Sequence, residues 1–104
     1  MLSRNAANLY WLGRNTERAD YLCRLIDATV RLSALPATHG GSDTAWEAAL
    51  QAAGAAWVYQ ETGRRMDQES VGHFLSVDPA NPSSIRALID NARTNARTVR
   101  TALT

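Results

Sequence analysis

Asn8-Leu9-Tyr10-Trp11-Leu12-Gly13-Arg14-Asn15-Thr16-Glu17-Arg18-Ala19-Asp20 decides how this chain is read. Bulky apolar residues and a dense Arg/Glu/Arg/Asp cluster share one run that reads as part of a single long helix. Stepping at about 100° per residue, Arg14, Glu17, Asp20, Arg24, Asp27 and Arg31 fall on one side, as the polar face of a surface helix should. Arg18 does not. It falls between Trp11, Leu22 and Leu25, on the side expected to be buried. A charge there is costly unless it is paired. The expectation is a buried Arg18 held by Glu17, Asp20 or an acid of another helix, whose loss would cost about 3–5 kcal/mol.

Outward from this run the helical pattern extends from about residue 4 to 35. Ser3 or Asn5 serves as the N-cap and Pro36 stops the helix. Ala37 to Ser42 reads as a loop, and Thr44 and Glu47 have capping-box spacing for a helix over 44–54 that ends or kinks at Gly54. A short helical piece carries Trp57, Val58 and Tyr59. Asp67 opens a helix over 67–76, and Asp78-Pro79-Ala80-Asn81-Pro82 forms a rigid turn. Ser83 or Ser84 then caps a last helix over 83–103, with Ile85, Leu88, Ile89, Ala92, Ala96, Val99 and Leu103 as its apolar stripe. No segment alternates as a strand would. The predicted fold is all-α, a helical bundle with one long first helix, short middle helices and a long last helix.

Composition narrows the function classes. At 104 residues the chain is one domain at most. All eleven basic residues are arginine, so Schiff-base chemistry through a lysine is excluded. Ten acids leave a net charge of +1, too balanced for a general nucleic-acid binder. Cys23 is alone, which rules out an intrachain disulfide and points to a reducing interior. No secretory leader or membrane-spanning run is visible, so the cytoplasm is the expected compartment.

Geometry predicts that these residues do not form a self-contained globule. A helix over 4–35 spans roughly 48 Å at 1.5 Å per residue, whereas a compact domain of this length is about 35 Å across. The last stripe is still in phase at Leu103 without a Gly or Asn cap. Residues 1–104 therefore read as one helical unit, the front part of a longer protein, and self-association is expected of the isolated chain.

The candidate binding residues are Arg14, Glu17, Arg18, Arg93, Asn95 and Arg97. On the first helix Tyr10, Arg14, Glu17, Tyr21 and Arg24 form a line of phenol, guanidinium and carboxylate groups suited to a carboxylate or amide ligand. On the last helix Arg86, Asp90, Arg93, Arg97 and Arg100 form an electropositive strip able to face phosphate or carboxylate. Asn95 sits at the edge of the apolar stripe, where its amide should be hydrogen-bonded internally. Glu17 is the only candidate catalytic base, and Arg14 and Arg18 beside it favour its charged form. Cys23 reads as packing rather than nucleophile. His39 and His73 lack metal-ligand spacing, so no metal is expected, nor does any phosphate loop or dinucleotide fingerprint suggest a cofactor.

Asn8-Leu9-Tyr10-Trp11-Leu12-Gly13-Arg14 with Glu17-Arg18-Ala19 resembles the N-terminal signature of the alpha-E domain family. So do Phe74-Leu75, Asp78, Asn81-Pro82-Ser83-Ser84-Ile85 and Ala92-Arg93-Thr94-Asn95-Ala96-Arg97. Asn15 departs from a usual aromatic, Asp20 from a usual Glu, and Thr94 from a usual Glu. The resemblance implies a bacterial all-helical protein about three times this length, of which the chain covers the first third. It also implies partners: an ATP-grasp amide ligase and a transglutaminase-like protein. The expected function is an accessory, substrate-presenting module of a peptide synthesis or modification system, with Arg14, Glu17, Arg18 and Asn95 holding its site together. The alternatives are an enzyme acting on peptides or amides with Glu17 as base, and a purely structural helical assembly protein.

Overall fold

The computed structural model describes residues 2–35 and 41–103, and every element among them is helical. They are α1 (Leu2–Ser33), α2 (Gly41–Ala52), α3 (Ala56–Glu61), α4 (Gln68–Ser76) and α5 (Ile85–Leu103). The all-α expectation holds, with a long first and a long last helix. The expected stop at Pro36 and most of the loop after it lie outside the described residues. Two start signals are corrected. α1 is helical from Leu2, so neither Ser3 nor Asn5 caps it. α2 begins at Gly41, which places Thr44 and Glu47 inside the helix.

The other boundaries follow local chemistry. The Asp67 carboxylate accepts the Ser70 N–H at 2.7 Å and caps α4. Ser84 Oγ accepts the Ala87 N–H at 3.1 Å and caps α5. α2 ends where Gly54 takes φ +70°. There the Ala55 N–H reaches back to the Leu50 carbonyl at 2.9 Å and the Gly54 N–H to that of Gln51 at 3.0 Å. This pair of bonds satisfies carbonyls that the helix end leaves open.

α1 and α5 run antiparallel along a narrow seam. In α1 the buried or half-buried positions along this line are Asn5, Asn8, Leu12, Asn15, Ala19, Leu22, Ile26, Thr29 and Ser33, with Leu25 half-buried beside it. In α5 they include Ile85, Leu88, Ala92, Asn95 and Val99. Both sets step by alternating threes and fours, the spacing of a two-helix seam rather than of a broad apolar face. This explains two departures from expectation. Trp11 is 53% exposed, and Ile89 of the α5 stripe is 43% exposed.

α2, α3 and α4 gather at one end of this pair. Trp46, Leu50, Tyr59, Val71, Phe74 and Leu75 form the principal core there, with Leu25 and Ile26 of α1 packed against it. Ala19, Leu22 and Leu88 make a second, smaller cluster. Before Ala19 no described α1 side chain is fully buried. The molecule is thus a head with a two-helix arm, and its extents of 56 × 25 × 17 Å match the overhang expected from helix length.

Candidate functional site

Glu17 and Arg18 sit side by side near the base of the arm, and both are exposed. Tyr10, Trp11, Arg14 and Tyr21 are exposed too. Stepping at about 100° per residue, these six side chains fall within roughly 120° of the α1 circumference. The Tyr10 and Trp11 rings meet edge to face at 5.3 Å. The Tyr21 hydroxyl donates to the Ala52 carbonyl at 3.3 Å, tying this face to the end of α2.

Arg18 is therefore not the buried, paired cation expected from the sequence. Among the described residues no carboxylate lies within ion-pair distance of it, and Asp20 pairs instead with Arg24 at 3.2 Å. The physical reason is its place beside the seam rather than in it. Arg18 borders a cavity of about 210 Å³ with Tyr21, Leu22 and residues 51–54, the C-terminal end of α2. The C-terminal end of a helix carries partial negative charge, and a long arginine stem covers apolar surface while its head group stays in water. A second cavity, of about 80 Å³, joins Arg18 to Gly54, Val58, Asn81 and Pro82. Arg18→Ala should then change stability by only about 0.5 kcal/mol or less, as for other surface positions; chemical denaturation checks this. A loss of several kcal/mol would restore the buried reading.

The remaining candidates are dispersed. Arg14, Arg93 and Arg97 are all exposed, the first on α1 and the other two on α5. Asn95 is half-buried in the seam, where it accepts from Asn15 Nδ2 at 3.1 Å and donates to Asn8 Oδ1 at 3.0 Å. Its amide is satisfied internally, as expected, but its partners are the seam asparagines and not Arg14, Glu17 or Arg18. Asn8 and Asn15 were not picked out as its partners, although their seven-residue spacing along α1 was a visible signal. Cys23 is exposed, which corrects its reading as a packing residue.

Charge is segregated along the molecule. Residues 2–18 and 85–103 hold Arg4, Arg14, Arg18, Arg86, Arg93, Arg97 and Arg100 against Glu17 and Asp90, a net +5. Residues 19–84 hold eight acids against four arginines, a net −4. The overall charge of +1 conceals a basic arm and an acidic head.

Sequence reasoning also missed a polar cluster in the turn between α4 and α5. Asp78 is buried, pairs with Arg64, and accepts the Ala80 N–H at 2.9 Å. The backbone bond from Ala80 and then the Arg64 guanidinium hold its carboxyl below the usual value. The Asp67 carboxyl is lowered too, mainly by the Ser70 N–H it accepts. Carboxyls lowered on folding contribute stability that is complete above their unfolded value near pH 4. It is lost as pH falls through the lower folded values. Thermal stability should accordingly decline below about pH 4, and Asp78→Asn should flatten that decline; melting curves at pH 2–7 test both. Among the described residues no group of three His, Cys, Asp or Glu side chains could hold a metal ion. No described helix is long and apolar enough to cross a membrane.

A family model described as a predicted alpha-helical domain with a conserved ER motif matches residues 1–104. Glu17-Arg18 is the one Glu-Arg dipeptide in the sequence. The chain belongs to the Alpha-E family. The motif that characterises Alpha-E is thus displayed on the surface, flanked by exposed aromatic rings, at the point where the arm meets the head. No curated protein and no solved structure matches the chain.

Proposed function

We propose that this Alpha-E chain is an accessory, substrate-presenting module of an ATP-grasp-linked peptide synthesis or modification system, with its Glu17-Arg18 face as the contact. One observation carries this reading. The two residues of the family's conserved motif are both exposed, and neither forms an ion pair among the described residues. A core position is kept for packing, whereas a conserved exposed charge is kept for something it meets. Tyr10, Trp11 and Tyr21 beside it add the rigid aromatic area on which protein contacts concentrate. The ATP-grasp ligase and the transglutaminase-like protein come from the family resemblance, and the chemistry of the face is compatible with them. Its guanidiniums suit a peptide carboxylate or a phosphate.

The test is binding of an ATP-grasp amide ligase from the same genome, by calorimetry with and without ATP. Arg18→Ala and Glu17→Gln should each weaken binding tenfold or more while the helical circular-dichroism signal is unchanged. Binding by both variants at full strength would remove the Glu17-Arg18 face from the contact. A ligation and hydrolysis assay on the chain alone separates the enzymatic alternative. Turnover that Glu17→Gln abolishes would make Glu17 a base and the accessory reading wrong.

A further inference from the structure

We infer that the side of the α1–α5 arm facing away from Arg18 is a docking groove for one amphipathic helix with an acidic flank, supplied by a partner protein. The seam defines this side. In an antiparallel pair, the residues that follow Asn8 and Asn15 on α1 lie on the same side as those that follow Leu88 and Asn95 on α5. These are Leu9 and Thr16, and Ile89 and Ala96, and all four are exposed. Arg18 precedes a seam residue, Ala19, and so lies on the other side, where the end of α2 and the α4–α5 turn approach it. Two packed helices leave a groove on each side, and the head occupies only one of them. Leu9 at 54% and Ile89 at 43% exposure are the large apolar residues of the other, one on each helix.

The edges of the groove identify its occupant. Arg86 and Arg93 border it on the α5 side, seven residues and so about 10.5 Å apart, and no described carboxylate pairs with either. The α1 edge opposite them carries Ala6 and Gly13, without charge. A helix seated between these edges gains from apolar residues toward Leu9 and Ile89 and from acids two turns apart toward the arginines. An apolar helix with basic flanks would meet like charge along the whole α5 edge. This contact does not involve Glu17 or Arg18, so it stands or falls independently of the function proposed above.

The experiment uses two synthetic helical peptides of about 20 residues, long enough to follow the arm at 1.5 Å per residue. Both carry a leucine stripe, one flanked by glutamates and the other by lysines at the same positions. Fluorescence anisotropy against the full chain should show the glutamate peptide binding at least tenfold more tightly. Ile89→Glu should weaken it tenfold or more, with circular dichroism unchanged because the residue is exposed. Arg93→Glu should weaken the glutamate peptide and strengthen the lysine peptide, a reversal that a structural role for Arg93 would not produce. Equal binding of the two peptides, no binding of either, or indifference to Ile89→Glu would overturn the proposal. So would a dimer in sedimentation that Ile89→Glu dissolves, since the groove would then be closed by a second copy of the chain.

Discussion

Replacing Phe74 by alanine should cost about 3–5 kcal/mol, the scale for emptying the place of a fully buried aromatic ring. Its side chain is completely excluded from solvent, and its ring meets that of Tyr59 edge to face at 5.0 Å. The same residue's carbonyl takes the Asn81 amide at 2.9 Å, which anchors the turn that launches α5. The substitution therefore empties the centre of the head and loosens the base of the arm together. Single domains are stable by only about 5–15 kcal/mol, so a large share of the chain should be unfolded at mild urea concentrations. Trp57→Ala is the matched control: that ring is 73% exposed, and its loss should shift the urea midpoint little. Similar shifts for the two variants would mean that the core lies elsewhere.

Asn95→Ala should cost about 1–2 kcal/mol, the lower part of the range for stranding buried amides, because Asn8 and Asn15 keep partial access to water. The opposite sign is expected when the set is removed as a unit. Leucine at positions 8, 15 and 95 together leaves no stranded group, and such replacements are often neutral or stabilising. What the asparagines give in return is register. A seam of leucine accepts several alignments and partner numbers, whereas one polar layer fixes a single alignment. The triple variant should melt at or above the temperature of the parent and yet form mixed oligomers in sedimentation. A lower melting temperature with a uniform species would refute this account.

The helices were legible in the sequence because long periodic runs, prolines and capping side chains act locally. Asp67, Gly54 and Ser84 did what their chemistry forecasts. Arg18 was misread for an instructive reason. A wheel drawn on α1 gives one apolar face, but three neighbours, α5, α2 and α4, share that helix along its length. α5 takes the narrow seam, α2 ends beside Arg18, and the width of the buried face is set by those contacts rather than by periodicity. The exposure of Trp11 and Cys23 has the same origin. The Arg64–Asp78 pair was invisible because its two residues belong to different turns that only the packing of α3 and α4 brings together. In the candidate site, the family motif itself was readable from the sequence, whereas its surface setting needed the neighbours.

The amides that join the arm belong to opposite ends of the chain, with sequence separations of 80 and 87 residues at the Asn95 bonds. Closing a loop of that size costs about 1.8 kcal/mol more chain entropy than closing one of ten residues. The head needs far shorter closures: Tyr59 meets Phe74 fifteen positions away. The arm should therefore be the last part to zip and the first to open, and its amides should exchange with deuterium before those around Phe74. Glu17 and Arg18 lie just before Ala19, the first buried residue among the described side chains of α1. A partner that grips them, or that lies along the arm, would act as a clasp on the two chain ends. Its binding energy would then appear partly as slower unfolding of the arm.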